Sequence, residues 1–200
     1  MAAAGVTRIL GVDPGSQVAG IAVVERDGAR TRACMAEAVR LGRGGEPGPR
    51  LAKLYDRLQA VIATYAPGEL AVESVFVARN VNSALKLGQA RGVVLLAAAQ
   101  AGLAVFEYAP RAIKLATVGS GRAEKAQVRF MMQQLFALNE PPPADAADAL
   151  AVALYHAHQQ PVAALTRRAT TATAAQAVGE TPARSGRRRS RRWVTVPEQG

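Results

Sequence analysis

The feature that most constrains the fold is a set of acidic residues that lie directly beside strongly apolar segments. They are Asp13 in GVDPGS, Glu73 in AVESVF, and Asp145 and Asp148 in PPPADAADALAVA. Acidic side chains are rarely buried unless a partner compensates their charge. A shared divalent cation is one such partner, and ligand sets made only of oxygen suit Mg²⁺ or Mn²⁺. The sequence therefore predicts a metal site built from distant segments, of the kind that activates water against a phosphodiester.

Asp145 and Asp148 lie three residues apart at the start of a predicted helix, which places both carboxylates on one face of its first turn. The positive end of a helix also stabilises acids, so capping by Asp145 explains this pair equally well when it is taken alone. Asp13 could instead form a turn, and Glu73 could pair with a basic residue in the core. The occurrence of all four acids in separate apolar contexts favours a shared site.

The hydrophobic pattern predicts an α/β fold with a mixed central β-sheet flanked by α-helices. Strands are predicted at residues 8–12, 18–25, 31–39, 69–76 and 103–108, the first two joined as a hairpin through DPGSQ. Helices are predicted at residues 50 to about 67, 80–101, just after Pro110, about 124–138, and from the triple proline to about residue 158.

Composition indicates one domain followed by a basic tail. The chain has 200 residues and a net charge of +10, and residues 161–200 contain eight of its 25 basic residues and two of its 15 acidic ones. This tail is rich in Ala, Thr and Arg without a sustained apolar period, so we expect one folded domain at residues 1–160 and a disordered Arg-rich tail at residues 161–200. The positive charge favours a polyanionic partner such as DNA.

Other features exclude several classes of site and location. Cys34 is the only cysteine, so no intrachain disulfide can form and a reducing cytoplasm is the simplest setting. No apolar stretch is long enough to suggest a signal peptide or a membrane span.

His156 and His158 lie two or more turns beyond Asp148 and are expected to be structural or solvent-facing. The absence of a Cys/His spacing pattern argues against zinc.

Several ordered motifs closely resemble the RuvC family of bacterial Holliday junction resolvases. These motifs are GVDPGS, ESVFVARNVNSALKLGQARGV (73–93), VFEYAPR (105–111), GSGRAEKAQV (119–128) and ADAADALAVA (144–153). The resemblance implies an RNase H-like fold, a homodimer, and Mg²⁺-dependent paired nicking of opposing strands in a four-way DNA junction during recombination and repair. It also implies two metal ions, with Mn²⁺ as a substitute, and cooperation with the RuvA and RuvB branch-migration proteins.

The resemblance assigns roles to individual residues. The family's catalytic, metal-binding acids match Asp13, Glu73, Asp145 and Asp148. Four residues match positions expected to contact DNA: Phe76 by stacking on an unpaired base, and Arg79, Lys114 and Lys125 by charge. The helix face formed by Ala84, Gly88 and Gly92 resembles the family's dimer helix, although close packing within one subunit would explain it as well.

Other classes of protein share parts of this pattern. An Asp-x-Gly hairpin also opens actin-like ATPases and sugar kinases, but these need a second duplicated half that the chain is too short to contain. A basic junction-binding protein without catalysis would be expected to lack one of the acids. A related nuclease that cuts RNA hybrids or linear DNA stays open as an alternative.

Overall fold

The core of the protein is a five-stranded mixed sheet with the strand order β3-β2-β1-β4-β5. The structure, a computed structural model, describes residues 6–42, 45–74 and 81–159. The strands are β1 (Thr7–Asp13), β2 (Val18–Asp27), β3 (Arg30–Arg40), β4 (Glu69–Glu73) and β5 (Ala104–Tyr108). β1, β2 and β3 pair antiparallel in sequence, whereas β4 pairs parallel to both β1 and β5.

Helices cover both faces of the sheet. Four of them are α1 (Pro47–Tyr65), α2 (Val81–Gln100), α3 (Pro110–Val118) and α4 (Lys125–Leu135), and a fifth, α5, spans residues 144–159. α1 and α3 each begin with a proline in the first turn, where the missing N–H has no intrahelical partner to lose. α4 begins with a capping box in which Glu124 and Gln127 bond each other's backbone N–H groups.

Alternation along the strands divides the core into two layers. On β1, Leu10 and Val12 face a cluster that includes Leu54 of α1 and Val94 of α2, whereas Ile9 belongs to the cluster around α5. Successive strand residues point to opposite faces, so Gly11 and Asp13 lie on the α5 face together with Ile9. On β4, Ala71 lies in the α5 cluster, and the same alternation places both Glu69 and Glu73 on that face.

The predicted elements are confirmed, with differences at their ends. α4 ends at Leu135 rather than near residue 138, because the backbone enters the left-handed region at Ala137 (φ 49°) and Leu138 N–H closes on the carbonyl of Gln133. β4 ends at Glu73, so the prediction that it continues to residue 76 is wrong at Ser74, and its last two residues lie in the range 75–80, outside the described residues. The predicted tail also lies outside them. No helix in the part of the chain that the structure describes has the length and hydrophobicity to cross a membrane.

Candidate metal-dependent nuclease site

The fold brings the predicted acids together at the carboxyl ends of the neighbouring strands β1 and β4. Asp13 is the last residue of β1 and Glu73 is the last residue of β4, and these two strands are parallel neighbours with Val12 opposite Val72. Both side chains point to the face that α5 covers. Asp145 and Asp148 lie in the first turns of α5. This end of the helix packs against Gly20 of β2, and Gly20 is the residue that pairs with Asp13 in the sheet.

Three carboxylates are close enough to share an ion. Oxygen atoms of Asp13, Asp145 and Asp148 all lie within 4.8 Å of one another, and each of these residues is partly buried. Glu73 stands outside this group of three, although its charge is among the causes that raise the pKa of Asp13. The structure therefore forms a trio of oxygen donors with a fourth carboxylate at its side.

Two glycines make this approach possible. A Cβ added to Gly20 would collide with the backbone oxygen of Asp145, and one added to Gly11 would lie 2.8 Å from the Cβ of Ala153. α5 consequently lies almost directly on the backbones of β1 and β2, which places its first turn beside Asp13. Neither glycine was predicted from the sequence to shape the site. Their position inside apolar strand segments was the available signal, since such a glycine often marks a close backbone approach.

Burial and mutual repulsion raise the pKa of Asp13, Glu73 and Asp148. Burial, then the charges of Glu73 and Asp148, raise the pKa of Asp13 to about 7, an effect that Lys125 partly offsets. Burial and the charge of Asp148 raise the pKa of Glu73, and burial is the largest cause of the raised pKa of Asp148. Buried acids that repel one another are the environment that a bound cation would relieve.

Two predicted DNA-binding lysines border the acids. The ammonium group of Lys125 lies 3.4 Å from Oδ2 of Asp148 and 3.7 Å from Oδ1 of Asp145. Burial lowers the pKa of Lys125, but the attraction of Asp148 and Asp145 outweighs it, so the pKa is raised. Lys114 donates to the carbonyl of Ala123 at 3.2 Å, which ties α3 to the segment that leads into α4. Its charge acts to lower the pKa of both Glu73 and Asp148.

The remaining predicted residues have different outcomes. Phe76 and Arg79 lie in residues 75–80, outside the described residues. Asp13 is a paired strand residue opposite Gly20, which argues against a role as a turn residue. Among the described residues, Glu73 forms no ion pair within 4.0 Å, which argues against the core salt bridge considered above.

A cavity adjoins the acids on the β2–β3 side. It has a volume of about 460 Å³, and Asp145 forms part of its lining together with Gln17, Arg40 and Pro143. The cavity is therefore lined by one basic residue, Arg40, and by one of the clustered acids.

Comparisons with known proteins agree with this geometry. Residues 9–156 match the family model described as crossover junction endodeoxyribonuclease RuvC. The chain is 52% identical over 154 residues to the RuvC of Halorhodospira halophila, covering 77% of this chain and 92% of that protein. It is 50% identical over 165 residues to the RuvC of Azorhizobium caulinodans, covering 82% of this chain and 98% of that one.

A solved structure shows the same fold. The structure of Thermus thermophilus RuvC in complex with a Holliday junction substrate aligns with a TM-score of 0.70 and 37% identity, covering 76% of this chain and 93% of that one. The RNase H-like fold implied by the sequence motifs is thereby confirmed. With a matching family model, half-identical relatives and a shared fold, the chain belongs to the RuvC family of crossover junction endodeoxyribonucleases.

Proposed function

We propose that this protein is a metal-dependent Holliday junction resolvase, an endonuclease that nicks opposing strands of a four-way DNA junction. The observation that carries the proposal is the convergence of Asp13, Asp145 and Asp148 within 4.8 Å on one side of the sheet. The names of its half-identical relatives and the junction bound to the Thermus thermophilus structure support the choice of substrate. We assign Glu73 as the fourth catalytic acid because its charge couples directly to that of Asp13.

The donor set fits a hard divalent cation. It consists only of carboxylate oxygens, and burial, followed by the charges of Glu73 and Asp148, raises the pKa of Asp13. We propose that each site holds two Mg²⁺ ions and that Mn²⁺ can substitute for them. The proposed ligands are Asp13, Glu73, Asp145 and Asp148. Such ions supply activation of water and stabilisation of the departing 3′ oxygen.

The protein's own groups position the substrate. Lys125 lies beside the acid pair on α5 and Lys114 lies near enough to act on Glu73 and Asp148, so both can bind phosphates that flank the scissile bond. Phe76 and Arg79 remain predicted DNA contacts. Partial burial of the carboxylates strengthens the electrostatic contacts that they make, because the local dielectric constant is lower than that of water.

A homodimer would place two such sites on one junction. Among the described residues, a Cβ added to Gly88 or Gly92 of α2 would meet no atom within 4 Å, so packing within the subunit does not explain this face. Val81 and Leu85 on the same helix are 84% and 62% exposed. A second copy of the chain is the proposed partner of this surface, because a twofold axis would present equivalent sites to two equivalent strands.

Further partners and location follow from the family resemblance. We propose cooperation with the RuvA and RuvB branch-migration proteins, a cytoplasmic location, and a role for the Arg-rich tail at residues 161–200 as an electrostatic DNA tether. The domain boundary near residue 160 stays a prediction.

The experiment is cleavage of a mobile four-way junction and of a linear duplex of the same sequence, with Mg²⁺ and with EDTA. We expect symmetric paired nicks in the junction only, dependent on Mg²⁺ and abolished by Asp13→Asn. Asp27→Asn, which changes an exposed carboxylate at the end of β2, serves as the matched control. Equal cutting of the linear duplex, or cutting that persists in Asp13→Asn, would reject the proposal.

A further inference from the structure

A buried polar network lies at the end of α5 opposite to the acids. His156 is 1% exposed, and its Nε2 lies 2.9 Å from Oε2 of Glu69 while its Nδ1 lies 2.6 Å from the hydroxyl oxygen of Tyr108. The ring of Phe106 packs against the imidazole with centroids 4.4 Å apart. One side chain of α5 is thus bonded to β4 through Glu69 and to β5 through Tyr108.

The direction of these hydrogen bonds can be assigned from the groups themselves. A carboxylate only accepts, so Nε2 of His156 carries the proton and donates to Glu69, and Nδ1 accepts from the hydroxyl of Tyr108. Burial lowers the pKa of His156 and keeps the ring neutral. Burial, Tyr155 and Glu69 raise the pKa of Tyr108 to about 12, so its hydroxyl keeps its proton. Both ring nitrogens are therefore satisfied with defined geometry.

Where α5 lies closest to the sheet, its contacts with the strands are made by backbone and small side chains. Ala149 and Ala153 meet Gly11 and Gly20 of β1 and β2 there, whereas the larger buried side chains of α5 in the same cluster are Leu150, Val152 and Leu154. Small side chains allow close approach, but they form shallow ridges and grooves. Directional hydrogen bonds to a large buried side chain resist sliding more strongly.

The spacing along both elements matches. Asp148 and His156 are eight residues apart on α5, about 12 Å of helix, and Glu73 and Glu69 are four residues apart on β4, about 13 Å of strand. Both glutamates lie on the face that α5 covers. Along β4, Asp148 of α5 therefore lies near Glu73 at one end, and His156 bonds Glu69 at the other.

We propose that His156, together with Glu69 and Tyr108, is a positioning residue that sets the register of α5 on β4 and thereby places Asp145 and Asp148 against Asp13 and Glu73. The inference rests on the proposed function of that acid site.

A second connection reaches the same site from Tyr108. Its main-chain oxygen accepts the N–H of Ser74 at 2.8 Å and the hydroxyl of Ser74 at 3.0 Å, and Ser74 directly follows Glu73. Tyr108 thus bonds His156 through its hydroxyl group and also holds the backbone next to Glu73 through its main-chain oxygen. Since displacements of about 1 Å can reduce a rate by about a hundredfold, small shifts of these elements are expected to affect catalysis.

The test compares Tyr108→Phe with Tyr155→Phe in the full-length protein. Each change removes one hydroxyl from neighbouring rings in edge contact, and among the described residues Tyr155 has no recorded side-chain hydrogen bond. Mg²⁺ or Mn²⁺ binding is measured by calorimetry without DNA, and kcat and KM are measured on the junction. We expect Tyr108→Phe to weaken ion binding several-fold and to lower kcat about tenfold, with KM unchanged, and Tyr155→Phe to resemble the wild type.

Rescue at His156 separates positioning from simple stability. Glutamine can donate to Glu69 and accept from Tyr108, whereas leucine can do neither, so His156→Gln is expected to bind ions and to cleave better than His156→Leu when both are folded by circular dichroism. Wild-type ion binding and kcat in Tyr108→Phe, or equal defects in the two His156 variants, would overturn the inference. A wild-type protein that binds ions but does not cut junctions would instead refute the proposed function, and the calorimetric comparison would still decide the positioning role.

Discussion

Replacing Asp13 with asparagine is expected to stabilise the metal-free protein at the same time as it abolishes cleavage. The reason is that Asp13 is partly buried near three other carboxylates, so its charge opposes folding when no cation is present. Asparagine has nearly the same shape and carries no charge. Functional sites commonly hold groups in this way at the expense of stability.

The magnitude follows from the pKa and depends on pH. The pKa of Asp13 rises from 3.8 to about 7 on folding. Well below pH 3.8 the group is neutral in both states and its charge costs nothing. Between pH 4 and 7 the folded state binds more protons than the unfolded state, so the free energy of unfolding falls as the pH rises. Above pH 7 the full cost applies, about 4 kcal/mol at ~1.36 kcal/mol per pKa unit.

We therefore expect Asp13→Asn to be more stable than the wild type by about 2 to 4 kcal/mol at pH 8, the lower value allowing for water that reaches the partly exposed carboxylate. At pH 4 the two should be nearly equal. The assay is urea unfolding in EDTA at both pH values, with Asp27→Asn as the control for an exposed carboxylate. Saturating Mg²⁺ should stabilise the wild type more than Asp13→Asn. A stability difference that is absent at pH 8, or the same at pH 4 and pH 8, would refute the reasoning.

Three further outcomes are expected. Gly20→Ala should destabilise the protein by about 1 to 3 kcal/mol or more and weaken Mg²⁺ binding, because its methyl group would displace the start of α5. The control is Gly48→Ala, whose methyl group would meet no atom within 4 Å and should have neither effect. Denaturant unfolding measures the stability and calorimetry measures the Mg²⁺ binding. Leu85→Arg should convert the proposed dimer to monomers in light scattering, and an unchanged mass would exclude this face as the interface. Truncation after residue 160 should weaken junction binding chiefly at low salt and leave the Mg²⁺-dependent nick intact in a gel assay, and lost cleavage at saturating protein would show that the tail takes part in the reaction.

The local pattern of the sequence determined the elements and the chemistry of the site. Alternating apolar residues identified β1 and β2 as a hairpin, and three- and four-residue spacing identified α1. The acids were recognisable because Asp13, Glu73 and the pair on α5 interrupt apolar segments where charge is unfavourable. Each of these signals lies within a few residues of chain, which is the range over which period and burial can be recognised in one sequence.

Tertiary structure decided which of these segments touch, and how closely. Three contacts in the structure join residues that are far apart in the chain. Gly20 lies under Asp145, Lys125 contacts both acids of α5, and His156 bonds Glu69. From the sequence, His156 was predicted only to be structural or solvent-facing, since a periodic pattern gives the face of a helix but not the polar group that a side chain on it contacts. Contacts between elements depend on sheet order and on helix register, and both are set by packing of the whole core rather than by any single segment.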